Sequence, residues 1–183
     1  MSLETFNIFI GIGTIAIAFF TVVLVIFRIV MGKHNHIMNL VRENALLIGL
    51  VIGIAAISGS LGYSEIYKLP PCLFCWWQRI FLYPQVVLFA VAMYRHGRKS
   101  SAGYDIFHYS TPLAIVGSII SLYHVFLQQG VIASKGACLQ NGVSCTTIDI
   151  SIFGFLTIPM MALILGVALT LLGSMFIFNK KTD

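Results

Sequence analysis

The chain has few charged side chains. Asp, Glu, Lys and Arg make up 9% of its 183 residues, against about a quarter in ordinary soluble domains. Hydrophobic residues make up 58%, and the mean hydropathy is +0.95. This composition excludes a disordered tail and a nucleic-acid-binding protein, because neither could keep so much apolar surface in water. The sequence therefore predicts an integral membrane protein, with membrane lipid as its surroundings.

Five apolar stretches are long enough, or nearly so, to cross the roughly 30 Å of membrane hydrocarbon. In lipid each backbone polar group must bond within its own segment, so helices are expected and the fold class is all-α. The first stretch lacks a preceding Lys or Arg and a small-residue cleavage pattern, so we expect a retained helix and not a signal peptide. The last is expected to be broken by Pro159. The predicted spans are Phe6–Phe27, Ala45–Tyr63, Trp76–Tyr94, Tyr109–Leu127 and Phe153–Ile177.

Basic residues predict the orientation of these spans. They concentrate between the first and second spans, between the third and fourth, and after the fifth. The positive-inside rule places these segments in the cytoplasm, with the N-terminus outside and the C-terminus inside. The other two loops, Ser64–Cys75 and Gln128–Ile150, are then extracytoplasmic. The net charge of +5 is thus explained by topology.

Cysteine is scarce, yet all four residues fall in the two outward loops: Cys72 and Cys75 in the first, Cys138 and Cys145 in the second. Four cysteines are too few for a disulfide scaffold but enough for two pairs. The extracytoplasmic side is also where disulfides persist. This segregation indicates redox or structural disulfide chemistry on the outer side of the membrane.

The first pair has the spacing Cys72-x-x-Cys75 and follows two prolines, so it is expected at the N-terminus of the third span. Free N–H groups and the helix dipole at such a terminus favour a thiolate. Arg79 lies four residues after Cys75, on the same helical face. Its guanidinium is either a functional cation beside the sulfur or a side chain that extends to the outer surface.

The second pair encloses Asn141-Gly142, a strong turn signal that predicts a tight loop. Cys138 and Cys145 could form a permanent disulfide or a labile pair offered to a partner protein. A four-cysteine zinc site is the alternative, but the C-x6-C spacing disfavours it, so no metal is predicted. His124 lies near the outward end of the fourth span. A histidine bonded within the bundle is the usual interpretation of a single one, but Arg79 lies at the same depth close to Cys75. This favours a shared polar pocket that could bind and protonate a lipid-soluble electron acceptor.

Taken together, these motifs resemble the DsbB family of quinone-linked thiol oxidases. The resemblance rests on Cys72-x-x-Cys75, Gln78-Arg79, Tyr83-Pro84, Tyr123-His124 and the later cysteine pair; Phe153-Gly-Phe-x-Thr-Ile-Pro159 is closer to the BdbC-like branch. It covers roughly residues 44–178. It implies a four-helix core at residues 44–183, preceded by an extra N-terminal transmembrane helix and cytoplasmic loop at residues 1–43. Many relatives carry Glu at the position of Gln78.

The resemblance also implies an electron relay in a bacterial cytoplasmic (inner) membrane. A reduced extracytoplasmic thioredoxin-fold thiol oxidase (DsbA/BdbD-like) would attack Cys138, Cys145 would react with Cys72, and Cys75 would reduce a quinone, either ubiquinone or menaquinone. Arg79 and His124 match the residues at the quinone. Two other interpretations are a vitamin K epoxide reductase-like quinone reductase, which Trp76-Trp77-Gln78-Arg79 disfavours, and a structural scaffold with permanent outward disulfides. A transporter is disfavoured because no acidic residue lies within a span.

Overall fold

The computed structural model describes residues 2–30, 36–97, 101–132, 139–140 and 143–177, and within them the chain forms six α-helices and two small hairpins. A π-helical turn, Gly62–Ile66, continues α3, and a 3₁₀ turn, Ser101–Ile106, leads into α5. The first hairpin pairs β1 (Leu139–Gln140) with β2 (Val143–Ser144), and the second pairs β3 (Ser151–Ile152) with β4 (Leu156–Thr157). The helices are α1 (Leu3–Val30), α2 (His36–Glu43), α3 (Ala45–Leu61), α4 (Leu73–His96), α5 (Phe107–Gln128) and α6 (Ile158–Ile177).

Four of the described helices, α1, α3, α5 and α6, are long and apolar enough to cross a membrane. The 24-residue α4 is equally long but more polar, because it contains Gln78, Arg79 and Gln85, all three of which are buried. It packs between α3 and α5, where these side chains are shielded from lipid. We interpret α4 as the fifth membrane helix. The predicted polytopic helical bundle is confirmed, and the chain is a multi-pass membrane protein.

Small residues set how closely the helices pack. A Cβ atom on Gly49 of α3 would lie 2.7 Å from the ring of Phe89 in α4, and one on Gly53 would lie 2.7 Å from Val86. Neither glycine could gain a side chain without moving α4. The Gly-x-x-x-Gly spacing in α3 therefore serves bundle packing, as small residues do in membrane helices generally.

Aromatic rings fill the space between α4, α5 and α6 where α4 ends, α5 begins and α6 ends; this part of the bundle is here called the closed half. Phe89 and Phe107 are fully buried there, with ring centroids 5.4 Å apart, and the ring of Phe176 stacks on Phe107 at 4.4 Å. A polar pair lies next to these rings. The Ser110 hydroxyl donates to the Gln85 amide oxygen, and the Gln85 amide nitrogen donates to the Ser110 carbonyl at 3.1 Å.

The last membrane helix begins later than the sequence predicts. Residues 151–157 form the second hairpin, with positive φ angles of 55° at Phe153 and 80° at Gly154. Helix α6 begins at Ile158, so Pro159 lies in its first turn, where its missing N–H group removes no helical hydrogen bond. The predictions that the span began at Phe153 and was broken at Pro159 were wrong. Hydrophobicity alone does not separate an apolar hairpin from the helix that follows it.

Helix α1 lies against the rest of the bundle along one side and exposes the other. It packs mainly on α6, and Phe6 near its start contacts the rings of Tyr63 and Tyr67, each at 5.1 Å. Near its other end, Arg28 donates to the Ser174 hydroxyl of α6 at 3.1 Å. Several large apolar side chains point away from the protein, Phe9 and Phe19 among them, as expected of a helix that faces lipid.

Candidate active site

The cysteine pair of the first outward loop lies at the start of α4, as predicted. Cys72 is the N-cap residue with an extended backbone (φ −71°, ψ 173°), and its carbonyl accepts the hydrogen bond from the Trp76 N–H at 3.2 Å. Cys75 lies in the first turn of the helix. Both side chains are free thiols, with their Sγ atoms 3.1 Å apart and hydrogen-bonded. This spacing lets them close into a disulfide with little movement.

His124 of α5 joins the two cysteine loops. Its ring is 1% exposed. Nε2 lies 3.1 Å from the Cys145 carbonyl oxygen and 3.7 Å from the Cys72 Sγ, while Nδ1 lies 3.3 Å from the Gln78 amide nitrogen. A carbonyl oxygen can only accept and an amide nitrogen can only donate. With the Gln78 amide nitrogen donating to Nδ1, the proton of the ring lies on Nε2, directed at Cys145 and Cys72.

Cys145 follows β2 and lies against the first pair. It is buried and disulfide-bonded. The Cys72 Sγ, a His124 ring nitrogen and the Cys145 Sγ all lie within 4.8 Å of one another. This arrangement suits thiol–disulfide exchange between Cys72 and Cys145, which requires direct attack of sulfur on sulfur. The same three atoms could bind a metal only with Cys145 as a thiolate, and its disulfide removes that ligand.

The surroundings of Cys72 favour its ionised form. The hydrogen bond with Cys75 lowers the pKa of the Cys72 thiol, and the contact with His124 lowers it further, against the opposing effect of burial. The N-terminus of α4 acts in the same direction. The sequence predicts a thiolate at Cys75. In the dithiol form described here, the group whose pKa is lowered is the neighbouring Cys72.

Arg79 is held inside the bundle. Its Nε donates to the Ser60 hydroxyl at 2.8 Å and its Nη2 to the Ser60 carbonyl at 3.1 Å, which ties α4 to α3. The guanidinium also lies over the Trp76 ring, 5.2 Å from the centroid. The side chain is 9% exposed, so the alternative in which it extends to the outer surface does not hold. Ser60 uses two of its five N–H donors.

A cavity of about 550 Å³ lies directly beside these groups. Helices α1, α3, α4 and α6 form most of its apolar wall, as expected of a site for a lipid-soluble ligand. Its polar lining includes the cysteine pair and its neighbours Gln78, Arg79 and His124. Other polar residues also line it, among them Thr14, Gln128 and Asp149.

Two tyrosine hydroxyls beside this cavity lack hydrogen-bond partners within the described part of the chain. They belong to Tyr63, at the end of α3, and Tyr83, one turn beyond Arg79; both oxygens are buried and both residues line the cavity. A buried hydroxyl without a partner costs about 1–3 kcal/mol. Such groups next to an apolar cavity indicate a ligand with polar atoms at this end.

The structure brings together five of the six predicted site residues: Cys72, Cys75, Arg79, His124 and Cys145. The sixth, Cys138, lies outside the described residues, as do Asn141 and Gly142, at which the sequence predicts a turn. The sequence assigned no role to three residues that the structure places in the site: Gln78, Ser60 and Tyr63. The sequence spacing could have placed Gln78 in the site, because it lies three residues after Cys75 and therefore on nearly the same helical face.

A dithiol at a helix start, a disulfide sulfur in contact with it and an adjoining cavity in a membrane bundle define a membrane thiol–disulfide oxidoreductase. The family model of disulfide bond formation protein DsbB matches residues 42–176. The chain belongs to this family, whose members are oxidoreductases that form disulfide bonds, and the predicted resemblance is confirmed.

Similar proteins carry corresponding names. A probable disulfide formation protein C from Bacillus cereus is 39% identical over 139 residues, which cover 76% of this chain and 96% of the relative. The disulfide bond formation protein C of Bacillus subtilis is 40% identical over 116 residues, 62% of this chain and 78% of the relative. A probable disulfide formation protein from Metapseudomonas resinovorans is 27% identical over 140 residues, 76% and 92% of the two chains. No solved structure matches the chain.

Proposed function

We propose that this protein reoxidises the dithiol of an extracytoplasmic thioredoxin-fold oxidase, of the DsbA/BdbD type, and passes the electrons to a membrane quinone. One observation carries the proposal. The Cys72 Sγ lies within 4.8 Å of the Cys145 Sγ on one side, and its partner Cys75 lines the apolar cavity on the other. The cysteine pair thus lies between an outward disulfide and a site for a lipid-soluble acceptor.

The proposed sulfur steps combine this geometry, which supports the exchange between Cys145 and Cys72, with the order of attack that the family resemblance implies for Cys138. A thiolate of the reduced partner attacks Cys138 and displaces Cys145, and the second partner thiol then displaces Cys138 and leaves the partner oxidised. The released Cys145 thiolate attacks Cys72 in the Cys72–Cys75 disulfide and displaces Cys75 as a thiolate. The Cys138 thiolate then attacks Cys145, restores the Cys138–Cys145 disulfide and releases Cys72. Each exchange forms one S–S bond and breaks another. Net turnover moves two electrons and two protons from the partner dithiol to the quinone, which becomes quinol.

His124 supports the exchange between Cys145 and Cys72. Its Nε2 proton points at both the Cys145 carbonyl and the Cys72 sulfur, so it can stabilise negative charge on Cys72. Gln78 holds the ring in this tautomer through Nδ1. An amide performs this role without a charge, which explains how the site can use Gln78 where relatives carry Glu.

The residues around the cavity fit a quinone ring. A quinone carries two carbonyl oxygens on an otherwise apolar ring, and the cavity offers donors in an apolar wall: the Arg79 guanidinium and the unpartnered hydroxyls of Tyr63 and Tyr83. When bound, a quinone supplies a two-electron acceptor. Arg79 would bind a carbonyl oxygen and stabilise the negative charge that develops there. Ubiquinone and menaquinone both present this chemistry.

The orientation follows from the charges. We assign the N-terminus and both cysteine loops to the extracytoplasmic side of a bacterial cytoplasmic membrane, and the C-terminus to the cytoplasm. Residues 1–43 then form an extra helix with its cytoplasmic loop, and residues 44–183 form the oxidase core. A membrane-impermeant maleimide applied to intact cells checks this assignment, because it should label Cys75 after reduction only if the loops face outward.

The direct test uses purified protein, a reduced thioredoxin-fold oxidase and a quinone whose absorbance is followed. The expected result is loss of the quinone absorbance together with oxidation of the partner, both abolished in Cys75→Ser. Oxidation of the partner without loss of the quinone absorbance would contradict the proposal that a quinone is the electron acceptor. The absence of both would contradict the function.

A structural scaffold with permanent disulfides is the other candidate function. The geometry disfavours it, because the Cys72–Cys75 pair lies close to the Cys145 sulfur and beside an apolar cavity, an arrangement that permanent disulfides do not require.

A further inference from the structure

Helix α1 lies outside the part of the chain that matches the family, yet it forms part of the wall of the site cavity. The family match covers residues 42–176, whereas α1 ends at Val30. Six residues of α1 line the site cavity: Phe9, Ile10, Ile12, Gly13, Thr14 and Ile17. The helix is therefore placed to affect what the cavity binds.

A second cavity continues the first along α1. Its volume is about 350 Å³, and α1, α3 and α6 line it. Ile17 of α1 and Val51 of α3 line both cavities, so the two adjoin at these residues. Together they form a groove under α1, here called the α1 groove, which begins beside Arg79 and runs past Ala16 to Arg28.

The chemistry of the far end of the α1 groove suits a hydrocarbon chain. Its two polar side chains are already bonded: Thr21 donates to the Ile17 carbonyl at 2.7 Å, and Arg28 donates to Ser174 at 3.1 Å. The rest of the lining is apolar. The α1 residues along the groove, Phe9 to Arg28, extend about 28 Å at 1.5 Å per residue, close to the thickness of the hydrocarbon core.

We propose that the α1 groove binds the isoprenoid tail of the quinone whose ring lies beside Arg79. This inference rests on the proposed function and adds a tail-binding site formed by α1. The groove is continuous with the cavity that holds the polar donors, and it becomes apolar away from that cavity. A ring with a long hydrocarbon tail has the same distribution of polarity.

The test measures binding and not turnover. Purified protein in detergent is titrated with a long-tailed menaquinone and with menadione, which has the same ring without the tail, and quenching of Trp76 and Trp77 fluorescence reports occupancy. Ala16→Phe fills the groove, because Ala16 lines only the second cavity. Val22→Phe is the matched control: it is on the same helix, 56% exposed, and lines neither cavity.

Ala16→Phe is expected to raise the Kd of the long-tailed menaquinone about tenfold, which corresponds to the loss of roughly two buried methylene groups. Menadione binding should not change, and Val22→Phe should change neither. An equal rise in the Kd of both quinones in Ala16→Phe would overturn the inference. An unchanged Kd of the long-tailed menaquinone would also overturn it, and would leave a lipid acyl chain as the occupant of the groove. If neither quinone quenches the unaltered protein, the proposed function itself fails.

A second measurement needs no variant. A menaquinone with a photoreactive group at the end of its tail is irradiated with the unaltered protein, and the labelled peptides are identified by mass spectrometry. Labels between Ala16 and Arg28 of α1, and on the facing residues of α3 and α6, support the proposal. Labels confined to α4 and α5 overturn it.

Discussion

The two halves of the helix bundle treat buried polar groups differently. In the closed half, Gln85 and Ser110 satisfy each other among aromatic rings, and the one buried hydroxyl there without a partner among the described residues, that of Thr111, lines neither cavity. At the site end, Arg79 is only partly occupied by Ser60, and the hydroxyls of Tyr63 and Tyr83 lack partners within the described residues. A cavity adjoins the second set and not the first.

This difference separates structural polar groups from those available to a ligand. A satisfied buried pair stabilises one arrangement of helices, and its loss is expected to lower stability. Unsatisfied groups around a cavity reduce the stability of the empty protein and recover that free energy when a ligand binds. The comparison therefore predicts opposite responses to substitution in the two halves.

The largest effect is expected from Cys75→Ser. Quinone reduction should fall to the uncatalysed level, because Cys72 alone has no neighbouring thiol with which to form the disulfide that releases two electrons. Cys72 should instead react with Cys145 and form a stable Cys72–Cys145 disulfide, since their sulfurs lie within 4.8 Å. Mass spectrometry of non-reduced peptides checks this. A disulfide of Cys145 with Cys138 as the sole product would contradict the proposed order of exchange.

The next largest effect is expected from Arg79→Ala. Loss of a charged hydrogen bond to a quinone carbonyl should raise the quinone Kd by about 10- to 100-fold. Thiol exchange between the partner and the outward disulfide should continue. Arg95→Ala is the control, because Arg95 is exposed at the other end of the same helix. Equal loss of quinone binding and thiol exchange would indicate that Arg79 only holds α4 to α3.

The reactivity of Cys72 should depend weakly on pH. Its pKa in the folded protein is lowered, so the thiolate persists where an ordinary thiol, with a pKa near 8.5, is protonated, and it disappears only as the pH falls through the lowered pKa. Alkylation of Cys72 should thus decline much less than tenfold per unit below pH 8. His124→Ala should shift the profile to higher pH, and His108→Ala, on the exposed face of α5, should not. Identical pH profiles for His124→Ala and His108→Ala would show that the contact with His124 does not lower the pKa of Cys72.

The smallest effects are expected from two variants, Tyr63→Phe and Gln85→Leu, which compare the two halves of the bundle directly. Tyr63→Phe removes an unpartnered hydroxyl, so the thermal stability of the quinone-free protein should stay the same or rise, while the quinone Kd rises about fivefold. Gln85→Leu leaves the Ser110 groups unpaired, so stability should fall by about 1–3 kcal/mol with little change in Kd. Thermal unfolding with and without quinone measures both. A loss of stability in Tyr63→Phe would place its hydroxyl among the structural groups.

Much of the site could be predicted from local sequence. Pro70-Pro71 before Cys72 fixed the start of a helix, and the spacing of Cys75 and Arg79 placed them on one face. The contacts between helices could not be predicted. Nothing local connects Ser60 with Arg79, because their meeting depends on how closely Gly53 lets α3 approach α4.

The start of the last helix shows a second limit. Residues 153–157 are as apolar as the helix itself, so hydropathy gave a span that began too early. The positive φ angles at Phe153 and Gly154 and the position of Pro159 in the first turn decide the boundary. These are backbone properties, which a hydrophobic pattern does not contain. The interpretation of Pro159 as a break within a helix failed for the same reason.

The account depends most on Cys72 and Cys75 cycling between dithiol and disulfide as electrons pass to the quinone. Thiol trapping of this pair in membranes, after a pulse of reduced partner, tests that claim directly. In quinone-depleted membranes both thiols should accumulate and remain, and added quinone should return them to the disulfide. A pair whose oxidation state ignores both the partner and the quinone would contradict the account.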